Sequence, residues 1–266
     1  YIIIFISPFL LGLIIYNNLN ESYDDYQISV IQPNIKLADS RDYSKRFQLL
    51  DDLINSSIDC VKNNSQLIIW PEAALPFHTI QDENTLNYIN GRLLKDNNVS
   101  ILSGDLTYEG NKTYNSVILF NNKGIQEIYR KKYPVPLAEQ VPLSDIFPKL
   151  KKINIGVANY SSGKENVIFT TDNRRFSSLI CYESTFPGIN RQHANLGVDF
   201  ITFLVNDAWY TTWPEPEQHA RQSIYNGIGL LSTVAKRSEL IDDILKTNDD
   251  AIANKTTQLF YSDKNE

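Results

Sequence analysis

The stretch Phe176 to Pro187, FSSLICYESTFP, decides the fold. Phe176 to Ile180 predicts a buried strand that runs straight into Cys181, followed by Tyr182 and Glu183. A strand that ends in a turn is a common way for a rigid sheet to present a reactive side chain at its edge. A thiol is the strongest candidate nucleophile here, because even unperturbed cysteine holds some thiolate near neutral pH. Unpaired cysteines are also among the most buried residues and often inert. The stretch alone leaves both readings open.

Working outward, strand signals precede it at Val167 to Thr170 and follow it at Val198 to Val205, VDFITFLV. Helices are expected over Gly188 to Leu196 and Glu215 to Asn226. Further toward the N-terminus, Gln27 to Gln32 and Gln66 to Trp70 (QLIIW) read as strands, the second apolar enough to be covered on both faces. Tyr43 to Lys62 is an amphipathic helix with Leu49, Leu50, Leu53, Ile54, Ile58 and Val61 on one stripe. Asn84 to Asn97 predicts a second helix and Val99 to Gly104 a strand. Tyr114 to Phe120 and Ile125 to Tyr129 form a hairpin across Asn121-Asn122-Lys123-Gly124. Alternation with inserted hairpins predicts an α/β fold of mixed sheets with helices outside. Between Lys131 and Glu165, Pro134, Pro136, Pro142 and Pro148 interrupt regular structure, and irregular segments this long are usually lids or binding loops. Val135, Leu137, Val141, Leu143, Ile146 and Phe147 suit an apolar cover, or ordinary packing.

Composition narrows the function. The chain has 266 residues, 42% hydrophobic and 21% charged, which is globular and not disordered. Its net charge of -6 argues against a nucleic-acid partner. Two cysteines, Cys60 and Cys181, are too few for a disulfide scaffold, and Cys60 falls in the first helix as a core position. His78, His193 and His219 are scattered, so the sequence shows no metal site. Residues 1–16, YIIIFISPFLLGLIIY, are apolar but about a turn short of a spanning helix. The chain starts at Tyr1 without methionine, and residues 1–20 are expected to be the end of a transmembrane helix. The acidic flank Glu21, Asp24 and Asp25 suits its non-cytoplasmic end.

Three strand ends carry candidate chemistry. Glu72 follows QLIIW, and a partly desolvated carboxylate there has a pKa raised toward that of a general base. Lys131 follows the second hairpin strand, where a fixed ammonium can stabilise an oxyanion. Cys181 is the third. Taken singly, Glu72 reads equally as an exposed loop carboxylate and Lys131 as a solvated cation beside Arg130 and Lys132.

Glu, Lys and Cys in this order, each at the end of an apolar strand, resemble the nitrilase (carbon–nitrogen hydrolase) superfamily. Within it, WPEAALPF (Trp70 to Phe77), YRKKYPVPLAEQVPL (Tyr129 to Leu143), ICYESTFP (Ile180 to Pro187) and VNDAWY (Val205 to Tyr210) are most similar to the apolipoprotein N-acyltransferase family. Lys131 and Glu139 keep that family's spacing. The resemblance implies a four-layer α-β-β-α sandwich over residues 21–227, on the periplasmic side of a bacterial inner membrane. It implies Glu72 as base, Cys181 as nucleophile and Lys131 as oxyanion partner, with Glu139, Tyr182 and Glu183 supporting. The implied partners are a phospholipid acyl donor, a diacylated lipoprotein acceptor and the membrane; the enzyme is expected to be a monomer without a cofactor. A soluble nitrilase-type amidase with the same three residues is the alternative enzyme, and a tethered, non-catalytic binding domain the alternative class. Two departures stand out. Leu137-Ala138 replaces the family's Phe-Gly, a less permissive backbone. Residues 228–266 diverge into a polar tail.

Overall fold

The computed structural model describes residues 6–7, 9–11, 13, 26–33, 35, 39, 42–74, 82–142, 149–150, 158–172, 174–207, 214–228 and 257–261. Among them two sheets face each other. In the first, β1 (Ile28–Val30), β2 (Leu67–Ile69) and β3 (Ser100–Glu109) run parallel, and β4 (Lys112–Asn121) and β5 (Gly124–Arg130) continue antiparallel. In the second, β6 (Phe169–Thr171) is antiparallel to β7 (Arg174–Ile180), which pairs in parallel with β8 (Phe200–Leu204). A last strand, β9 (Thr257–Tyr261), pairs antiparallel with β8.

The side-chain period of two sorts each apolar strand into two faces. Leu67, Ile69, Leu102, Val117, Leu119 and Tyr129 turn toward the second sheet and meet Phe169, Phe176 and Phe200. Phe176 stacks on Phe200 with ring centres 4.8 Å apart. Ile68, Trp70, Ile101, Ile118 and Phe120 turn outward, under α1 (Arg46–Lys62) and α2 (Glu83–Ile89). Leu50, Leu53 and Ile54 of α1 fill that layer, and Trp70 Nε1 donates to Ser57 Oγ at 2.9 Å, tying helix to sheet. On the far side, α3 (Pro187–Ala194) buries Ile189 against the second sheet, and α4 (Glu215–Ile228) packs on the turn after β7. Proline at the start of α3 suits a position where no N–H bond is needed. The order is helix, sheet, sheet, helix.

Three expectations change. The strand read as ending at Gly104 runs on to Glu109 and makes a second long hairpin with β4, so glycine did not terminate it. The helix read over 84–97 is α-helical to Ile89 and then widens into a π-turn, Asn90–Leu94, around Gly91. Cys60 is half-buried at the margin of the outer cluster, not core, and both cysteines are free.

No helix among the described residues is long and apolar enough to cross a membrane. The expected membrane segment lies largely outside the described residues. Its described part is helical and exposes Ile6, Phe9, Leu10, Leu11 and Leu13. Most of the expected tail also lies outside them, but β9 belongs to it.

Candidate active site

Glu72 sits two residues beyond Trp70, where the chain leaves β2, and is 8% exposed. The neighbouring strand makes room for it. A Cβ on Gly104 would lie 2.5 Å from Glu72 Cα and 2.8 Å from Pro71 O, so only glycine lets the backbones pass. The Gly104 N–H donates to Pro71 O at 3.2 Å and fixes the approach. The carboxylate accepts from Asn115 Nδ2 at 2.8 Å and from the Asn206 backbone N–H at 2.9 Å. Burial raises its pKa, the Lys131 ammonium partly opposes this, and the net position is about 7.

Lys131 follows β5 and is 1% exposed. Its Nζ lies 2.8 Å from Glu139 Oε2 and 3.9 Å from Glu72 Oε1. The nearer contact is a close ion pair with Glu139, and the ammonium's other donors find no hydrogen-bond partner among the described residues. Burial pulls the Lys131 pKa down, but the nearby carboxylates Glu72 and Glu139 outweigh it and hold the group protonated. Glu139 is held in turn by Asn115 Nδ2 at 2.9 Å and the Val135 N–H at 2.7 Å. Asn115 therefore bridges both carboxylates, while its own carbonyl accepts from the Lys131 N–H at 2.8 Å. The loop at Leu137-Ala138 answers the question of permissiveness. The left-handed residue is Leu137, at φ +66°, and Ala138 needs no such freedom. Val135 to Gln140 forms a closed turn, with Glu139 N–H donating to Val135 O at 2.9 Å and Leu137 N–H to Gln140 O at 2.8 Å. Val141 is buried and Leu137 exposed; residues 143–148 of the expected cover lie outside the described residues.

Cys181 ends β7 in the left-handed region, φ +47°, and opens a 3₁₀ turn, Cys181–Thr185. A non-glycine residue held there is a local strain that surrounding contacts must support. Burial pushes the thiol well up, the Glu72 charge adds to this, and Lys131 offsets part of it. Glu183, fully buried, supplies much of the support. Its Oε1 accepts from Tyr129 Oη at 2.8 Å, the Lys132 N–H at 2.7 Å and the Tyr133 N–H at 3.1 Å. Its Oε2 accepts from the Ile180 N–H at 2.9 Å. One carboxylate thus staples the residue before the thiol to the residue after the lysine. Tyr182 packs edge-on to Phe186, with centres 4.7 Å apart.

Two further residues lie here that the sequence reading did not select. Asp207 follows β8 and His219 lies on α4; His219 Nδ1 is 3.0 Å from Asp207 Oδ1. His219 Nε2 lies 3.1 Å from the Cys181 carbonyl oxygen and 2.9 Å from Ser184 Oγ. The thiol and one polar atom each of Asp207 and His219 fall within 4.8 Å of one another, three donor types a soft divalent ion accepts. Both ring nitrogens already face oxygen partners, however. Asn115 was equally missed, since a strand asparagine in YNSV carries no signal of its own. Asp207 had a clue in VNDAWY and His219 lies in the helix expected over Glu215 to Asn226, but only folding makes them neighbours.

The structure therefore brings Glu72, Lys131 and Glu139 together within electrostatic reach of the buried Cys181 thiol, with Glu183 bracing the turn and Tyr182 next in the chain. Comparison with known proteins follows the same lines. The model of the carbon–nitrogen hydrolase family matches residues 27–224. The apolipoprotein N-acyltransferase of Chlorobaculum tepidum is 29% identical over 245 residues, which cover 80% of this chain and 46% of that protein. That of Rickettsia prowazekii is 28% identical over 223 residues, 79% of this chain and 43% of that protein. The chain thus spans less than half the length of these curated relatives. Among solved structures, an amidase of the nitrilase superfamily from Nesterenkonia sp. AN1 superposes with a TM-score of 0.53 at 15% identity, covering 79% of this chain and 76% of that one. A glutamine-dependent NAD+ synthetase from Acinetobacter baumannii gives 0.50 at 17% identity, covering 70% and 34%. At such identities these structures speak for the nitrilase fold alone. By the match over residues 27–224, the chain belongs to the carbon–nitrogen hydrolase family.

Proposed function

We propose that this chain carries the catalytic unit of an N-acyltransferase. It takes a fatty acyl group from a phospholipid, holds it as a thioester on Cys181, and passes it to the N-terminal amine of a diacylglyceryl-cysteine lipoprotein. The observation that carries this reading is the buried Lys131 ammonium, paired with Glu139 at 2.8 Å and 3.9 Å from Glu72, whose charge acts on the Cys181 thiol. The sequence likeness to N-acyltransferases favours transfer over amide hydrolysis.

The chemistry follows from the charges. A thiol pushed up by burial is neutral at rest, so attack needs a base in place. Glu72, with its pKa near 7, takes the thiol proton as sulfur bonds to the ester carbonyl carbon. The oxyanion that forms is met by Lys131 and by the backbone N–H of Tyr182. Collapse breaks the ester C–O bond, and Glu72 returns its proton to the departing lysophospholipid oxygen. In the second half the lipoprotein amine attacks the thioester carbon. Glu72 accepts the amine proton and returns it to the leaving sulfur. Glu139 keeps Lys131 in place, and Glu183 holds the two strand ends together. In this reading residues 1–20 end a transmembrane helix, 21–227 form the catalytic domain on the periplasmic side, and 228–266 are a divergent tail.

The test is mass spectrometry of the intact chain after incubation with phospholipid vesicles. The expected result is one acyl adduct on Cys181 that a diacylglyceryl-cysteine peptide discharges and water does not. An adduct discharged equally by water, or turnover of simple amides without any acyl adduct, would support the amidase instead.

A further inference from the structure

Asp207 and His219 take no part in the proton transfers above, although His219 contacts the nucleophile turn and Asp207 contacts His219. His219 does not reach the thiol as a base would: its Nε2 meets the Cys181 carbonyl oxygen at 3.1 Å and the Ser184 hydroxyl at 2.9 Å. On the ring's other side Asp207 Oδ1 and Oδ2 lie 3.0 Å and 3.3 Å from Nδ1. The Asp207 carboxylate at Nδ1 favours the doubly protonated ring, and in that form Nε2–H donates to the Cys181 carbonyl while Nδ1–H donates to Asp207. The pair is well enclosed, with side chains 9% and 5% exposed.

The carbonyl of Cys181 and the N–H of Tyr182 belong to one peptide unit. That unit is planar and trans, so its C=O and N–H point in opposite directions. Gripping the carbonyl oxygen therefore aims the Tyr182 N–H, and a charged donor on the oxygen also polarises the peptide and strengthens the N–H as a donor. Without the grip, this peptide can turn about ψ of Cys181 and φ of Tyr182, which carries the Tyr182 N–H away from the site.

We propose that Asp207 and His219 are positioning residues: they clamp the Cys181–Tyr182 peptide so that the Tyr182 N–H points at the oxyanion formed when Cys181 attacks a carbonyl. The inference rests on Cys181 being an acyl-accepting nucleophile, but not on phospholipid being the donor.

The test separates two reactions of the same sulfur. Alkylation by iodoacetamide displaces iodide at a saturated carbon and forms no oxyanion. Acylation by a p-nitrophenyl ester forms one. Both rates are read at Cys181 by mass spectrometry in the unaltered chain, His219→Ala, His219→Gln and Asp207→Asn, with melting curves to confirm folding. His219→Ala is expected to slow acylation about a hundredfold, the cost of a misplaced oxyanion donor, while alkylation changes by less than about threefold. His219→Gln, which keeps an N–H within reach of the carbonyl, recovers part of the loss, and Asp207→Asn shows a smaller, equally selective one. If His219→Ala does not fold, the selective loss in the other two variants decides. Parallel loss of both reactions, or unchanged acylation, overturns the proposal. Absence of ester acylation in the unaltered chain overturns it together with the nucleophile assignment. Ester acylation without phospholipid acylation overturns only the donor.

Discussion

Glu72 and Glu183 are two buried carboxylates that follow strands of the two facing sheets, and they do opposite work. Burial raises the pKa of both. Glu183 meets that cost with four donors, from Tyr129, Lys132, Tyr133 and Ile180. Among the described residues Glu72 has two, from Asn115 and Asn206, and faces an ammonium 3.9 Å away. A carboxylate surrounded by fixed donors is a structural clamp; one with spare lone pairs beside a thiol can take a proton. The number and placement of donors, not depth, separate them.

The largest expected effect breaks the reactive side. Cys181→Ala abolishes acyl transfer, and Glu72→Gln lowers it about 10²- to 10⁴-fold by removing the proton acceptor. Steady-state transfer to a lipopeptide measures both, and retained transfer in either removes the mechanism. Glu183→Gln should act on the other side. It puts an NH₂ where a donor expects an oxygen, lowering stability by about 2 kcal/mol in a urea melt. Because Glu183 links Ile180 to Lys132, transfer falls as well; full activity with unchanged stability would erase the contrast.

Next comes the space Glu72 needs. Gly104→Ala places a methyl carbon 2.5 Å from Glu72 Cα, against backbone that must shift. Acylation is expected to drop about tenfold, with about 1–3 kcal/mol lost from stability. Wild-type rates in that variant would show that the position of Glu72 is not constrained by β3.

The smallest effect is the pH dependence of folding. Glu72 has a folded pKa of about 7, above its ordinary 4.5, so its contribution falls as pH rises from 4.5 to 7. His193 runs the other way. It is fully buried, edge-on to Tyr129, and neither ring nitrogen has a partner among the described residues. Burial lowers its pKa from 6.5 to about 4, so stability is lost as pH falls through that interval. Between about pH 4.5 and 6.5 the two contributions offset each other, so His193→Phe should expose the fall in melting temperature with rising pH that Glu72 causes. An unchanged profile in that variant would mean His193 is not held neutral.

These contrasts also show what the sequence could carry. Strand ends at Glu72, Lys131 and Cys181 were legible because apolar runs stopping at a polar residue need only local pattern. So were α1 and the β4–β5 hairpin, with their periodic stripe and turn residues. The extension of β3 was not, because Gly104 looks like a stop until the backbone crossing it makes room for becomes visible. Asn115, Asp207 and His219 escaped for a related reason. Each is defined by a partner 12 to 43 residues away, and nothing in the flanking sequence says which face of the strand or helix will meet it. Glu183 was read as supporting from resemblance, but its four donors come from backbone and a tyrosine that only the fold assembles.

The most direct measurement is the rate of Cys181 acylation by phospholipid against pH, in the unaltered chain and in Glu72→Gln. If Glu72 is the proton acceptor, the rate in the unaltered chain climbs to a plateau through pH 7 as that carboxyl ionises, and the variant is slow with no such step. A step of the same position and height in Glu72→Gln would contradict it.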